Sequence, residues 1–197
     1  MPKSEIRITG YGGQGVIMTG YIFGKAAAIY DEVHSTMTQS FGPEARGSAC
    51  AAALIVDDEF VDYPYLRCTD VLVALSREGY EKYAGELKEG GILIFDEDLV
   101  DPATAELAPN VTQLGVPAVR IAEDLGKRIV QNIVVVGFTT AATEIVGKEA
   151  AIKAVESSVP PATIDLNLQA FERGHEYFHS KGGHGDRRRD RGHPVRT

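Results

Sequence analysis

The apolar alternation Ile6, Ile8 runs into Gly10-Tyr11-Gly12-Gly13-Gln14-Gly15, and that glycine cluster opens directly onto a helical pattern over residues 16–30. A strand, a glycine turn and a helix in that order begin an α/β unit, and no other stretch of the chain constrains the fold as tightly. Gly10, Gly12 and Gly15 match G-x-G-x-x-G, in which glycines allow a tight turn and bring bare backbone N–H groups to an anion at a helix N-terminus. The loop, with Gly13 and Gln14 inside it, reads either as a cradle for phosphate or carboxylate or as a turn that lets the helix lie close to the first strand.

Within the helix, Gly20 and Gly24 stand four apart on one face. Their cost in helix propensity makes sense if that face packs tightly on the sheet or on another chain. Residues 33–38 alternate weakly and read as a second strand, parallel to the first through a right-handed crossover. The stretch Gln39-Ser40-Phe41-Gly42-Pro43-Glu44-Ala45-Arg46-Gly47 then falls at the carboxyl edge of the sheet beside the glycine loop, where ligands of open α/β folds bind. Arg46 is there either as a forked donor completing an anion site or as a solvated charge in a Gly-Pro turn.

Residues 49–56 and 59–62 read as an antiparallel hairpin turning at Asp57-Asp58. Residues 71–75 and 92–95 are apolar runs of buried-strand length, separated by a helical pattern over 77–87 that Gly90-Gly91 stops. Helical patterns follow around 120–128, from Asn132, over 148–157 and, beyond the Pro160-Pro161 break, over 166–179, where Leu168, Phe171 and Phe178 form an apolar stripe. The run from Ile133 to Val136 is β-branched enough to compete as a strand. The order implies an α/β fold: one Rossmann-like domain over residues 1–179, with a mostly parallel sheet, helices on both faces and an antiparallel edge hairpin.

Residues 180–197 carry six lysines and arginines against two aspartates, a net +4, so in a chain of net charge −8 the body carries −12. An acidic body speaks against a nucleic-acid partner, and the basic end reads as a solvated, disordered tail. The longest apolar stretch is too short to span a bilayer, and no basic and apolar leader precedes the first strand, so no membrane contact and a cytoplasmic location are expected. Cys50 and Cys68 lack C-x-x-C spacing, and two thiols cannot by themselves hold a four-cysteine iron–sulfur cluster or zinc site.

Three other patterns compete for a functional reading. A nicotinamide-binding oxidoreductase, NAD or NADP, needs an acidic residue at the end of the second strand; Thr38-Gln39 stands there, while Asp31 and Glu32 come before the strand, where they would cap a turn. His175-Glu176-Tyr177-Phe178-His179 matches H-E-x-x-H, but the longer zinc pattern wants a third histidine where Gly185 stands, and no methionine follows Met37. An amphipathic terminal helix that happens to carry two histidines is the plainer reading. Cys50 among alanines reads as an inert thiol in a strand interior, not a nucleophile.

Taken together, the Glu5-Ile6-Arg7-Ile8 strand, its glycine loop and the Gly42-Pro43-Glu44-Ala45-Arg46-Gly47 segment resemble the gamma subunit of 2-oxoacid:ferredoxin oxidoreductases, most closely the 2-oxoglutarate branch. Asp62-Tyr63-Pro64, the run from Asp70 to Ser76 and that from Leu87 to Ile94 extend the likeness, which spans residues 5–177. The resemblance implies a heteromeric enzyme that oxidatively decarboxylates a 2-oxoacid with coenzyme A (CoA) to acyl-CoA, CO2 and reduced ferredoxin. It places thiamine diphosphate on alpha and beta subunits and iron–sulfur clusters on beta and a ferredoxin-like delta subunit. This chain would carry no catalytic side chain; Gly10, Gly12, Gly13, Gln14, Gly15, Arg46 and Gly47 would engage CoA phosphates or a neighbouring subunit. Ser48-Ala49-Cys50 departs from the glycine and more polar residues usual there.

Overall fold

The computed structural model describes residues 3–42 and 49–181. Its strands are β1 (Ser4–Tyr11), β2 (His34–Phe41), β3 (Ala49–Asp57), β4 (Thr69–Ala74), β5 (Leu87–Asp96) and β6 (Thr112–Val116). They form one sheet of order β2-β3-β1-β4-β5-β6. β1, β4, β5 and β6 run parallel, and β3 is antiparallel to both of its neighbours. The fold is therefore α/β with a mostly parallel sheet and an antiparallel hairpin at one edge, as the element pattern implies.

The hairpin is not the one expected. β3 pairs with β2, and residues 59–62 form no strand. The Asp57 carboxylate accepts the Glu59 N–H at 3.2 Å, a local turn that leads the chain out of the ladder. β2 lies two strands from β1, with β3 inserted between them, and does not adjoin it as the crossover reading supposed. Burial accounts for this order. Residues 50–56 of β3 are buried on both faces, as an interior strand must be, whereas the Ser- and Thr-rich β2 is half-buried to exposed and suits an edge. β6, short and interrupted by Gly115, went unanticipated.

Helices α1 (Val16–Lys25), α2 (Arg77–Tyr83), α3 (Ala118–Asp124), α4 (Gln131–Thr143), α5 (Lys148–Glu156) and α6 (Ile164–Ser180) cover both faces unequally. Ile6, Ile8, Leu54, Val73 and Ile94 bury one face in a core that includes Phe23, Val134, Phe138 and Phe171 from the helices. Leu72, Ala74 and Leu93 bury the other against Tyr80, Tyr83 and Val100. Among the described residues no helix is long and apolar enough to cross a membrane.

α1 continues through a π-helical turn, Ala26–Tyr30, in which Asp31 N–H donates to the Ala26 carbonyl at 2.9 Å. Its glycine face lies on the sheet: a Cβ at Gly20 would come within 2.9 Å of the Ala52 side chain. α2 is capped by Ser76, whose hydroxyl accepts the Gly79 N–H at 3.2 Å, and gives way to a 3-10 turn, Ala84–Glu86, so that Leu87 already belongs to β5.

α4 is helical despite its β-branched residues because every residue from Gln131 to Thr140 is buried. Packing on all sides overrides propensity. Its contact with α6 is backbone against backbone. A Cβ at Gly137 would stand 2.0 Å from the Phe171 carbonyl oxygen, and one at Gly174 2.0 Å from that of Val134.

Candidate functional site

Gly10 pairs with Cys50 of β3, and Cys50 pairs in turn with Phe41 of β2. This register puts the glycine loop and both flanks of the segment after β2, Phe41-Gly42 and Ala49-Cys50, on one rim of the sheet. The Gly42 N–H closes the base of that segment on the Ala49 carbonyl at 2.9 Å. Proximity of the two turns is as expected, although β3 and not a direct β1–β2 pairing brings it about. Arg46 and Gly47 lie outside the described residues.

Within the loop, Gln14 faces the scaffold. Its Oε1 accepts the Tyr11 N–H at 2.6 Å and its Nε2 donates to the Leu75 carbonyl at 2.7 Å, just beyond β4. Both ends of the amide are thus occupied, so Gln14 braces the loop and its side chain does not point toward a ligand. Gly10 makes room for the brace, since a Cβ there would lie 2.6 Å from Gln14 Oε1.

Gly15 is the N-cap of α1 with φ +75°, in the left-handed region that favours glycine, and no side chain caps the helix. The first N–H groups of α1 are left to an external acceptor. A Cβ at Gly15 would also meet Asn132 Cβ at 2.6 Å, which means that the starts of α1 and α4 abut at this point.

A cavity of about 800 Å³ opens on this rim. Gly12, Gly13, Gly15 and Val16 line it from the glycine loop and α1, Phe41 and Cys50 from β2 and β3, Asn132 and Asn167 from the first turns of α4 and α6, and Lys127 from the loop before α4. Most of the remaining lining is aliphatic. Lys127 is the one cationic side chain among the described lining residues, and none is acidic. The volume suits a ligand of cofactor size, and a described lining without carboxylates suits an anion. The lining from Lys127, Asn132 and Asn167 was not foreseen in the sequence.

The other patterns resolve differently. Asp31 accepts the Gly147 N–H at 2.7 Å at the start of α5, beyond the opposite end of α1 from the glycine loop, where it cannot hold a ribose. Cys50 is buried and lines the cavity, and burial pushes its thiol up, which keeps it protonated. His175 stacks on Phe171 and lies 4.8 Å, ring to ring, from His179. Among the described residues no group of three or more His, Cys, Asp or Glu side chains gathers to hold a metal.

Residues 5–177 match the family model described as pyruvate ferredoxin/flavodoxin oxidoreductase. The chain belongs to this family. Within the pyruvate ferredoxin/flavodoxin oxidoreductases it is a gamma-type subunit of a 2-oxoacid:ferredoxin oxidoreductase, as the sequence resemblance implies. It is similar to the 2-oxoglutarate synthase subunit KorC of Methanocaldococcus jannaschii, 46% identical over 176 residues that cover 88% of this chain and 93% of the relative. The same subunit of Methanothermobacter thermautotrophicus is 46% identical over 178 residues, 88% of this chain and 94% of the relative. The crystal structure of a keto/oxoacid ferredoxin oxidoreductase gamma subunit from Geobacter sulfurreducens is 42% identical, with a TM-score of 0.77 over 90% of this chain and 99% of that one. The 2-oxoglutarate:ferredoxin oxidoreductase of Magnetococcus marinus, solved with 2-oxoglutarate, coenzyme A and succinyl-CoA bound, shares the fold at 20% identity and a TM-score of 0.82, over 91% of this chain and 32% of that longer one.

Proposed function

We propose that the chain is the gamma subunit of a 2-oxoglutarate:ferredoxin oxidoreductase, and that its glycine loop and cavity engage coenzyme A while partner subunits do the chemistry. The observation that carries this reading is the meeting, on one rim, of an uncapped helix N-terminus, a lysine and a largely apolar cavity of about 800 Å³ with no acidic side chain among its described lining residues. CoA has the matching parts: phosphates for the N–H groups and positive end of α1, and a long, weakly polar arm for the aliphatic walls. The names of the relatives support 2-oxoglutarate as the substrate, and the CoA in the M. marinus enzyme supports the ligand.

In this reading Gly12, Gly13 and Gly15 present backbone donors, and Gly10 and Gln14 hold the loop in shape. The reading also assigns Arg46 and Gly47, which lie outside the described residues, to the engagement of CoA. Thiamine diphosphate and the iron–sulfur clusters belong to alpha, beta and delta-type partners, through which electrons pass to ferredoxin. The reaction yields acyl-CoA, CO2 and reduced ferredoxin, and the isolated chain is inactive.

Thermal denaturation of the full chain tests the CoA assignment. A ligand at 100 times its dissociation constant adds about 2.7 kcal/mol, which for a chain of this size raises Tm by about 5–10 °C. CoA is expected to give that shift and NAD(P) none; the reverse would overturn the assignment. The complete complex, assayed with a panel of 2-oxoacids, tests the substrate.

A further inference from the structure

Asn132 is 6% exposed and lines the cavity, and no hydrogen bond joins its side-chain amide to a described residue. The residue is mostly buried while its amide opens on the cavity, so an amide with no partner in the protein is placed to pair with whatever fills that space. Its position sharpens this. Asn132 is the second residue of α4 and packs against Gly15, the N-cap of α1, so the positive ends of two helices meet there, with no carboxylate among the described lining residues to offset them. Gly15 is needed for this contact, because any side chain would displace the Asn132 amide.

We infer that Asn132 contacts a phosphoryl group of the bound ligand, its amide N–H donating beside the backbone N–H groups that open α1. This rests on the reading that the cavity takes CoA, and it names a residue, outside the glycine motif, that holds the anionic end. An amide at this spot adds a directed donor without adding charge, and the helix termini supply the field.

The test is Asn132→Asp, which keeps the shape and replaces the donor with a carboxylate. Near two helix N-termini a carboxylate favours the fold, so Tm of the variant chain is expected to hold or rise, while the KM for CoA of the assembled complex rises tenfold or more. kcat and the KM for the 2-oxoacid are expected to stay within twofold. Asn132→Ser, with a shorter donor, is expected to fall between wild type and Asn132→Asp. The control is Gly12→Asp, in the loop itself, at a position outside the left-handed region. If Gly12→Asp raises the KM for CoA and Asn132→Asp does not, this inference fails and the glycine-loop reading stands. If neither moves it, both fail. A fall in Tm together with changes in kcat and the 2-oxoacid KM would mark Asn132 as a packing residue and overturn the inference.

Discussion

Gln14 and Leu75, 61 positions apart in sequence, are joined by a 2.7 Å hydrogen bond from the Gln14 amide to the Leu75 carbonyl. The same amide accepts the Tyr11 N–H, so one side chain ties the glycine loop to the end of the neighbouring parallel strand. Gln14→Ala removes both bonds and leaves the part-buried Leu75 carbonyl short of a partner, while water reaches the exposed Tyr11 N–H. The expected loss is about 1–3 kcal/mol in urea unfolding. Gln14→Glu keeps the acceptor and loses the donor, so it is expected to destabilise by a similar amount through the unmatched Leu75 carbonyl.

Gly137→Ala drives a methyl into the Phe171 carbonyl, where backbone on both sides has no room to yield. A loss of about 3–5 kcal/mol is expected, or roughly 10 °C in Tm by calorimetry. Gly174→Ala meets the Val134 carbonyl across the same contact. The double variant is expected to lose less than the sum, because the first methyl already separates the helices.

Glu5 anchors the opposite end of the sheet. Burial alone would raise its carboxyl, but the Lys3 ammonium at 2.8 Å and the Cys68 and Arg67 N–H groups at 3.0 and 2.6 Å hold it below its usual 4.5. A depressed folded-state pKa contributes stability that is present above the unfolded value and lost as pH falls through the folded one. Wild type is therefore expected to exceed Glu5→Gln in stability near neutral pH, and the gap is expected to narrow below pH 4.5 in denaturant titrations.

Ile129 and Phe41 line the cavity and are 78% and 68% exposed, with Met18 beside the same opening. Large apolar side chains grouped at a rim are the kind of surface that a partner subunit would cover. Ile129→Asp is expected to reduce co-purification with the partner subunits while Tm of the isolated chain stays within about 2 °C. Unchanged co-purification would place the subunit interface elsewhere.

The first α/β unit was legible because its signals are local: alternation in β1, glycines in the turn and helical spacing after it. The rim was legible too, since the second strand, β2, runs in the same direction as β1. The insertion of β3 was not, because the pairing of residues 49–56 is decided by burial across the sheet and not by any neighbouring residue. Part of the cavity lining was hidden for a related reason. Lys127, Asn132 and Asn167 come together only when α4 and α6 pack. Asn132 offered one faint clue, a polar side chain at the head of an apolar run, and it took the burial of that whole run to make an unpaired amide informative. Gln14 sat in the motif, yet its bond to Leu75 depends on a strand that lies far along the chain.

The glycine contact between α4 and α6 binds the two helices that carry Asn132 and Asn167 to the cavity into one spar. Helices seated carbonyl against Cα cannot slide past one another without lifting apart, so this side of the chamber behaves as an anvil. An incoming guest must therefore conform to this face, whose shape the two helices settle before it arrives.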